Sequence, residues 1–246
     1  ERVILGIGAW WEPLASKVGV KREKPLKAMR EYVTVLKKLF NMERVTYHGE
    51  FVNVSDIELD VVYGPRTPRN VPIYIGATGF DMLELAGEIG DGILLNYLVS
   101  PEYNRKAIES IKKGAQKAKR KLEEIDRPQL VVVSMDLDED KAMEISREYV
   151  GLYLGQQPHI MKASGVPESL IKEVNIALGG WPAKPRGLEK VKELIPDSIV
   201  KMLTVTGTPD DCRKSIRKYI ESGATIPVMY SLGNNVSLVI EEMASL

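Results

Sequence analysis

The feature that most constrains this chain is its alternation of short, almost wholly apolar runs with longer amphipathic segments. Residues 71–75 (VPIYI) and 129–135 (QLVVVSM) lack the polar alternation of a half-exposed strand. Strands of that kind suit a sheet covered by helices on both faces. Strand–helix–strand order predicts parallel strands joined by right-handed crossovers. Five such strands are expected. Residues 2–7 form a buried strand closed by Gly8, and the others are 71–75, 91–97, 129–135 and 224–231. A closed barrel takes eight strands and a doubly wound sheet fewer, and the pattern alone does not separate the two.

Leu26, Met29, Val33, Leu36 and Phe40 recur at helical spacing and predict a helix over 24–40. Residues 45–54 read as a hairpin turning at His48-Gly49, and 63–70 as a Pro- and Gly-broken loop. Helices are expected at 80–89, from Ser100-Pro101 onward, from near Asp138, and over 236–245. Thr208-Pro209-Asp210-Asp211 predicts another helix with a capping box. Residues 155–198, interrupted by Pro158, Pro167, Pro182, Pro185 and Gly179-Gly180, are expected as an irregular helical insertion in a single domain spanning 1–246.

Composition removes several functions. The 246 residues, 44% hydrophobic, can bury a sizeable core. The 34 basic and 34 acidic side chains cancel, so no net field draws in nucleic acid. No apolar stretch is long enough to span a bilayer, and the opening residues carry no signal-peptide pattern. One cysteine, Cys212, excludes an internal disulfide and a cysteine-built zinc site. Two histidines, His48 and His159, argue against a metal centre, so none is expected. A cytoplasmic protein acting on a small molecule, with no nucleic-acid or membrane partner, fits these counts. The many lysines and glutamates are compatible with a thermophilic source.

Four places could carry chemistry. Gly76, Ala77, Thr78 and Gly79 end one strand and precede a helix; small residues, backbone N–H groups and the helix dipole suit a phosphate there, or the turn is simply tight. Gly6, Gly8 and Ala9 end the first strand ahead of Trp10 and Trp11, whose rings either wall a flat conjugated ligand or pack into the core. Asn96 ends a third strand and either bonds a ligand ring carbonyl or satisfies loop backbone. His159, in the irregular segment, is an acid or base near neutral pH or a surface histidine. His48 is expected to be solvated and Cys212 buried and inert. No Ser–His–Asp order or Walker loop occurs, so reactive chemistry would belong to an organic cofactor.

Taken together, ILGIGAWWEPL, YHGEFV and VPIYIGATGFDMLELAGEIGDGILLNY resemble the bacterial-luciferase-like superfamily of flavin and deazaflavin TIM barrels. Within it they are most similar to the coenzyme F420-dependent methylenetetrahydromethanopterin reductase-like branch. The resemblance implies an α/β fold of the (β/α)8 type and a coenzyme phosphate on the 76–79 turn. It places Gly6, Gly8, Ala9, Trp10 and Asn96 along the coenzyme pocket. Family members carry about three further βα units ahead of a strand like RVILGIG. The barrel is therefore expected to be incomplete, with about five of eight units, and to have two open edges that favour homo-oligomers.

The implied activity is hydride transfer between F420 and a small organic substrate such as a C1-carrying pterin, with Glu12 and His159 as candidates for proton transfer. Two alternatives remain open: an FMN-dependent monooxygenase, and a shortened flavin-binding or assembly protein without turnover.

Overall fold

A computed structural model describes residues 3–12, 14–179, 183 and 185–244. The chain falls into two compact units, Glu1–Leu94 with Glu109–Asp126, and Leu95–Ile108 with Arg127–Leu246. The first runs β1 (Leu5–Gly8), α1 (Leu14–Lys17), α2 (Pro25–Phe40), β2 (Val45–His48), β3 (Asn53–Ile57), β4 (Ile73–Gly76), α3 (Phe80–Ile89), β5 (Gly92–Leu94) and the second half of α4 (Pro101–Lys117). The second takes the first half of α4, then β6 (Pro128–Met135), α5 (Glu139–Gln156), α6 (Pro158–Ala163), α7 (Glu168–Leu178), α8 (Pro185–Leu194), α9 (Asp197–Leu203), β7 (Val205–Gly207), α10 (Pro209–Glu221), β8 (Ile226–Ser231) and α11 (Val236–Met243). Among the described residues no helix is long and apolar enough to cross a membrane.

In the first unit β4 is the central strand of a parallel sheet ordered β1-β4-β5. Its apolar run is explained by that position: Ile73 and Ile75 are fully buried, and burying such a side chain contributes about 1.5–3 kcal/mol. The expected buried strand over residues 2–7 is corrected. β1 pairs on one side only, and Val3 and Ile4 are 62% and 54% exposed, so its apolar residues are those of an edge; Arg2 lies outside the described residues. α3 and the second half of α4 pack backbone against backbone. A Cβ on Gly87 would overlap the Ile111 carbonyl, and one on Gly114 the Glu84 carbonyl.

The hairpin β2–β3 forms as expected, but its turn lies between His48 and Asn53. Glu31 of α2, 4% exposed, sets it: its carboxylate accepts the backbone N–H groups of Glu50, Phe51 and Val52 at 3.0, 2.7 and 3.0 Å. Burial works to raise this carboxyl's pKa. The three N–H donors outweigh it and hold the group below the usual glutamate value.

In the second unit β6 is central in a parallel sheet ordered β7-β6-β8. Val131, Val133 and Met135 of β6 pack with Val205, Cys212, Ile216, Tyr219, Val239 and Met243. β7 was not among the expected strands, because three residues directly after α9 show no period of their own. Thr208 and Asp211 form the expected reciprocal cap of α10. Residues 155–198 hold α6, α7, α8 and the start of α9. Pro182 and Gly180, used to delimit that segment, lie outside the described residues. One buried polar cluster pairs internally: Asn104 donates to Gln129 Oε1 and to Ser222 Oγ, and Gln129 donates to the Asn96 carbonyl at 3.0 Å.

Candidate functional site

The carboxyl ends of the first unit's three parallel strands are level. Gly8 of β1 stands beside Gly76 of β4, which stands beside Leu94 of β5. Beyond Gly76 the backbone passes through Ala77, buried, and Thr78, exposed, into α3, with an extended Gly79 at its N-cap. Gly79 offers no capping side chain, and the positive end of the helix dipole lies at this turn. A Cβ on Gly6, Gly8 or Gly79 would meet nothing within 4 Å, and one on Gly76 would meet only the Ile7 carbonyl, at 3.8 Å. Space for a ligand therefore lies directly against this backbone. Asp81, in the helix's first turn, borders a separate groove with Leu26, Lys27 and Arg30.

Past Gly8 the chain turns sharply. Trp10 has φ +55°, a left-handed conformation unusual for a residue with a Cβ, and the residue is 49% exposed. Arg22 holds this turn: its Nε donates to the carbonyls of Ala9 and Trp10 at 3.0 and 3.1 Å. Beside the turn is a cavity of about 360 Å³ lined by Gly8, Trp10, Arg22, Met29, Tyr32 and Phe51 among others. Glu12 is exposed, and its Oε2 accepts the Ser16 hydroxyl at 2.7 Å and the Ser16 N–H at 3.3 Å, which ties it to α1.

Asn96 lies in the second unit, just after β5. Its amide donates to the Tyr153 hydroxyl at 2.8 Å, and the Tyr97 ring lies against Tyr153 with centroids 4.8 Å apart. Burial raises the phenol pKa values of Tyr97 and Tyr153, so both are neutral donors at ordinary pH. His159 is exposed on the short helix α6.

The sequence profile of the luciferase-like monooxygenase family matches residues 1–225. The chain belongs to that family. Among luciferase-like relatives, a 5,10-methylenetetrahydromethanopterin reductase of Archaeoglobus fulgidus is 32% identical over 231 residues, covering 91% of this chain and 66% of the relative. An F420-dependent glucose-6-phosphate dehydrogenase of Amycolatopsis mediterranei is 27% identical over 95% of this chain and 65% of its own length. The chain thus spans slightly less than two-thirds of these relatives.

The structure of the coenzyme F420 dependent tetrahydromethanopterin reductase from Methanopyrus kandleri superposes with a TM-score of 0.79 at 25% identity, over 94% of this chain and 68% of that one. The fold is therefore the α/β fold of the luciferase-like TIM barrels. Its parallel strands here, six among the described residues, lie in two open three-stranded sheets.

The residues singled out from sequence divide by unit. The structure brings Gly6, Gly8, Ala9, Trp10 and Glu12 to the end of β1 and Gly76, Ala77, Thr78 and Gly79 to the adjoining end of β4, whereas Asn96 and His159 belong to the second unit. His48 is exposed, with Nδ1 2.8 Å from Asn53 Oδ1. Cys212 is fully buried, which pushes its thiol pKa up to about 12. Arg22 was missed because a lone arginine twelve residues from Trp10 carries no motif. Gln129 carries a sequence signal of its own, a long polar side chain opening an apolar run.

Proposed function

We propose that this chain carries the F420-binding part of an oxidoreductase that transfers a hydride between the coenzyme and a C1-carrying pterin. The observation that carries the reading is the level pair Gly8–Gly76 with open space against both backbones and a helix N-terminus directly beyond. Residues of that kind fit a phosphate-bearing coenzyme whose backbone partners must approach closely. When bound, the coenzyme would supply or accept the hydride.

The residues of this chain bind and orient. Gly76, Ala77, Thr78 and Gly79 would hold the phosphate at the helix N-terminus, with the Ala77 N–H giving up its long 3.5 Å bond to the Leu94 carbonyl. Gly6, Gly8, Ala9 and Trp10 shape the surface beside it and exclude water. Asn96, assigned to ligand hydrogen bonding from its strand-end position and the resemblance, and His159, assigned to proton transfer from its residue type alone, both belong to the second unit. Glu12 is the other proton-transfer candidate and would have to exchange its bond to Ser16 for the reacting group. Relatives whose names carry F420 favour it over FMN. The pterin is favoured over a sugar phosphate by the higher identity to the Archaeoglobus reductase.

The test is an anaerobic assay of the purified chain following reduced-F420 absorbance. Oxidation on adding 5,10-methylenetetrahydromethanopterin, with no F420 reduction by glucose 6-phosphate, is the expected result. The reverse preference contradicts the pterin assignment.

A further inference from the structure

Two observations meet at the end of β1. Trp10 holds a left-handed backbone that a residue with a Cβ seldom adopts, and such conformations persist only where the surroundings enforce them. The enforcing contact is one atom, Arg22 Nε, shared between the carbonyls of Ala9 and Trp10. Both carbonyls must turn to the same side to reach it, which the observed left-handed Trp10 satisfies and an extended residue would not. Trp10, half-exposed, and Arg22 then border the same cavity of about 360 Å³, whose other walls include Met29, Tyr32 and Phe51. A planar guanidinium on a separate loop is suited to this duty, because its Nε–H lies in a fixed plane and its charge strengthens both bonds.

We propose that Arg22 is a positioning residue that locks the Ala9–Trp10 turn, so that the Trp10 indole stands as a wall for a flat conjugated ligand at the end of β1. This rests on the coenzyme reading above in taking that ligand to be F420, and the lock itself is independent of it. Without Arg22 the turn can relax to negative φ, and the indole leaves the cavity rim.

The experiment uses the full chain with Trp11→Phe and Trp181→Phe, leaving Trp10 as the sole tryptophan, with Arg22, Arg22→Gln or Arg22→Lys. Quenching of Trp10 by acrylamide, a neutral quencher insensitive to the charge removed with Arg22, reports the lock with no ligand present. Arg22→Gln is expected to raise the quenching constant by roughly twofold or more and to weaken F420 binding by about tenfold. Its melting temperature should stay within about 2 °C, since the contact is exposed. Arg22→Lys, which keeps the charge and can reach one carbonyl, is expected to recover part of both effects. Unchanged quenching in Arg22→Gln overturns the lock. Increased quenching with unchanged F420 affinity overturns the role of Trp10 as a ligand wall. Failure of the unsubstituted chain to bind F420 counts against the coenzyme reading, while the quenching comparison still decides the lock.

Discussion

Gly8 and Gly76 face each other across the parallel ladder at the carboxyl ends of β1 and β4, and a Cβ on Gly8 would meet no atom within 4 Å. The fold does not require that glycine, because its backbone carries no positive φ and its Cβ position is open. A ligand resting against the backbone would require it. Gly8→Val is therefore expected to shift the melting temperature by no more than about 2 °C and to weaken F420 binding by at least about tenfold. Calorimetry and a binding titration on the same sample separate the two effects. Equal affinity in both proteins would remove Gly8 from the site.

Glu31 makes the hairpin's geometry depend on pH. Its carboxyl titrates below its ordinary value near 4.5 in the folded state. The anion's contribution is thus fully present above about pH 4.5 and is lost as pH falls through the depressed folded value. Glu31→Gln places an NH₂ group or a weaker acceptor against three N–H donors. The melting temperature should drop by roughly 5–10 °C at pH 7. The gap between variant and parent should narrow below pH 4. A gap independent of pH would mean that packing, not the charge, anchors the turn.

Gly87 and Gly114 let α3 and α4 meet at backbone distance. Alanine at either would raise helix propensity, yet the added methyl overlaps a carbonyl on the facing helix. Overpacking dominates, and each variant should lose about 2 kcal/mol or more in urea unfolding. A neutral Gly114→Ala would show that the helices are further apart.

Cys212 is the only thiol, fully buried on α10 with its pKa pushed up to about 12. It should be inert to a thiol reagent in the native protein and react stoichiometrically in concentrated urea. Rapid labelling without denaturant would show that the β6–α10 layer opens readily.

What was legible in the sequence follows burial. VPIYI and QLVVV announced β4 and β6 because each is the middle strand of its sheet and is buried on both faces. RVILGI looked the same on paper. Its position at an edge depends on which strands lie beside it, and composition does not encode that. β7 escaped because three residues cannot display a period, and β8 alternates exposed and half-buried residues, the pattern of a strand whose two faces are unequally covered. The two glycine-ended strands were found because small residues at strand ends leave a local signature. Arg22 was not, since its partners are carbonyls of Ala9 and Trp10, which every residue type possesses. Glu31 looked like one more charged residue on an amphipathic helix until the hairpin backbone closed over it.

The most direct measurement is a fluorescence titration of the 246-residue chain with F420, with FMN as competitor and Gly76→Asp as control. Saturable F420 binding that FMN does not displace, abolished by a carboxylate on the 76–79 turn, is the predicted result. Binding of FMN in preference to F420, or F420 binding untouched by Gly76→Asp, would contradict the account.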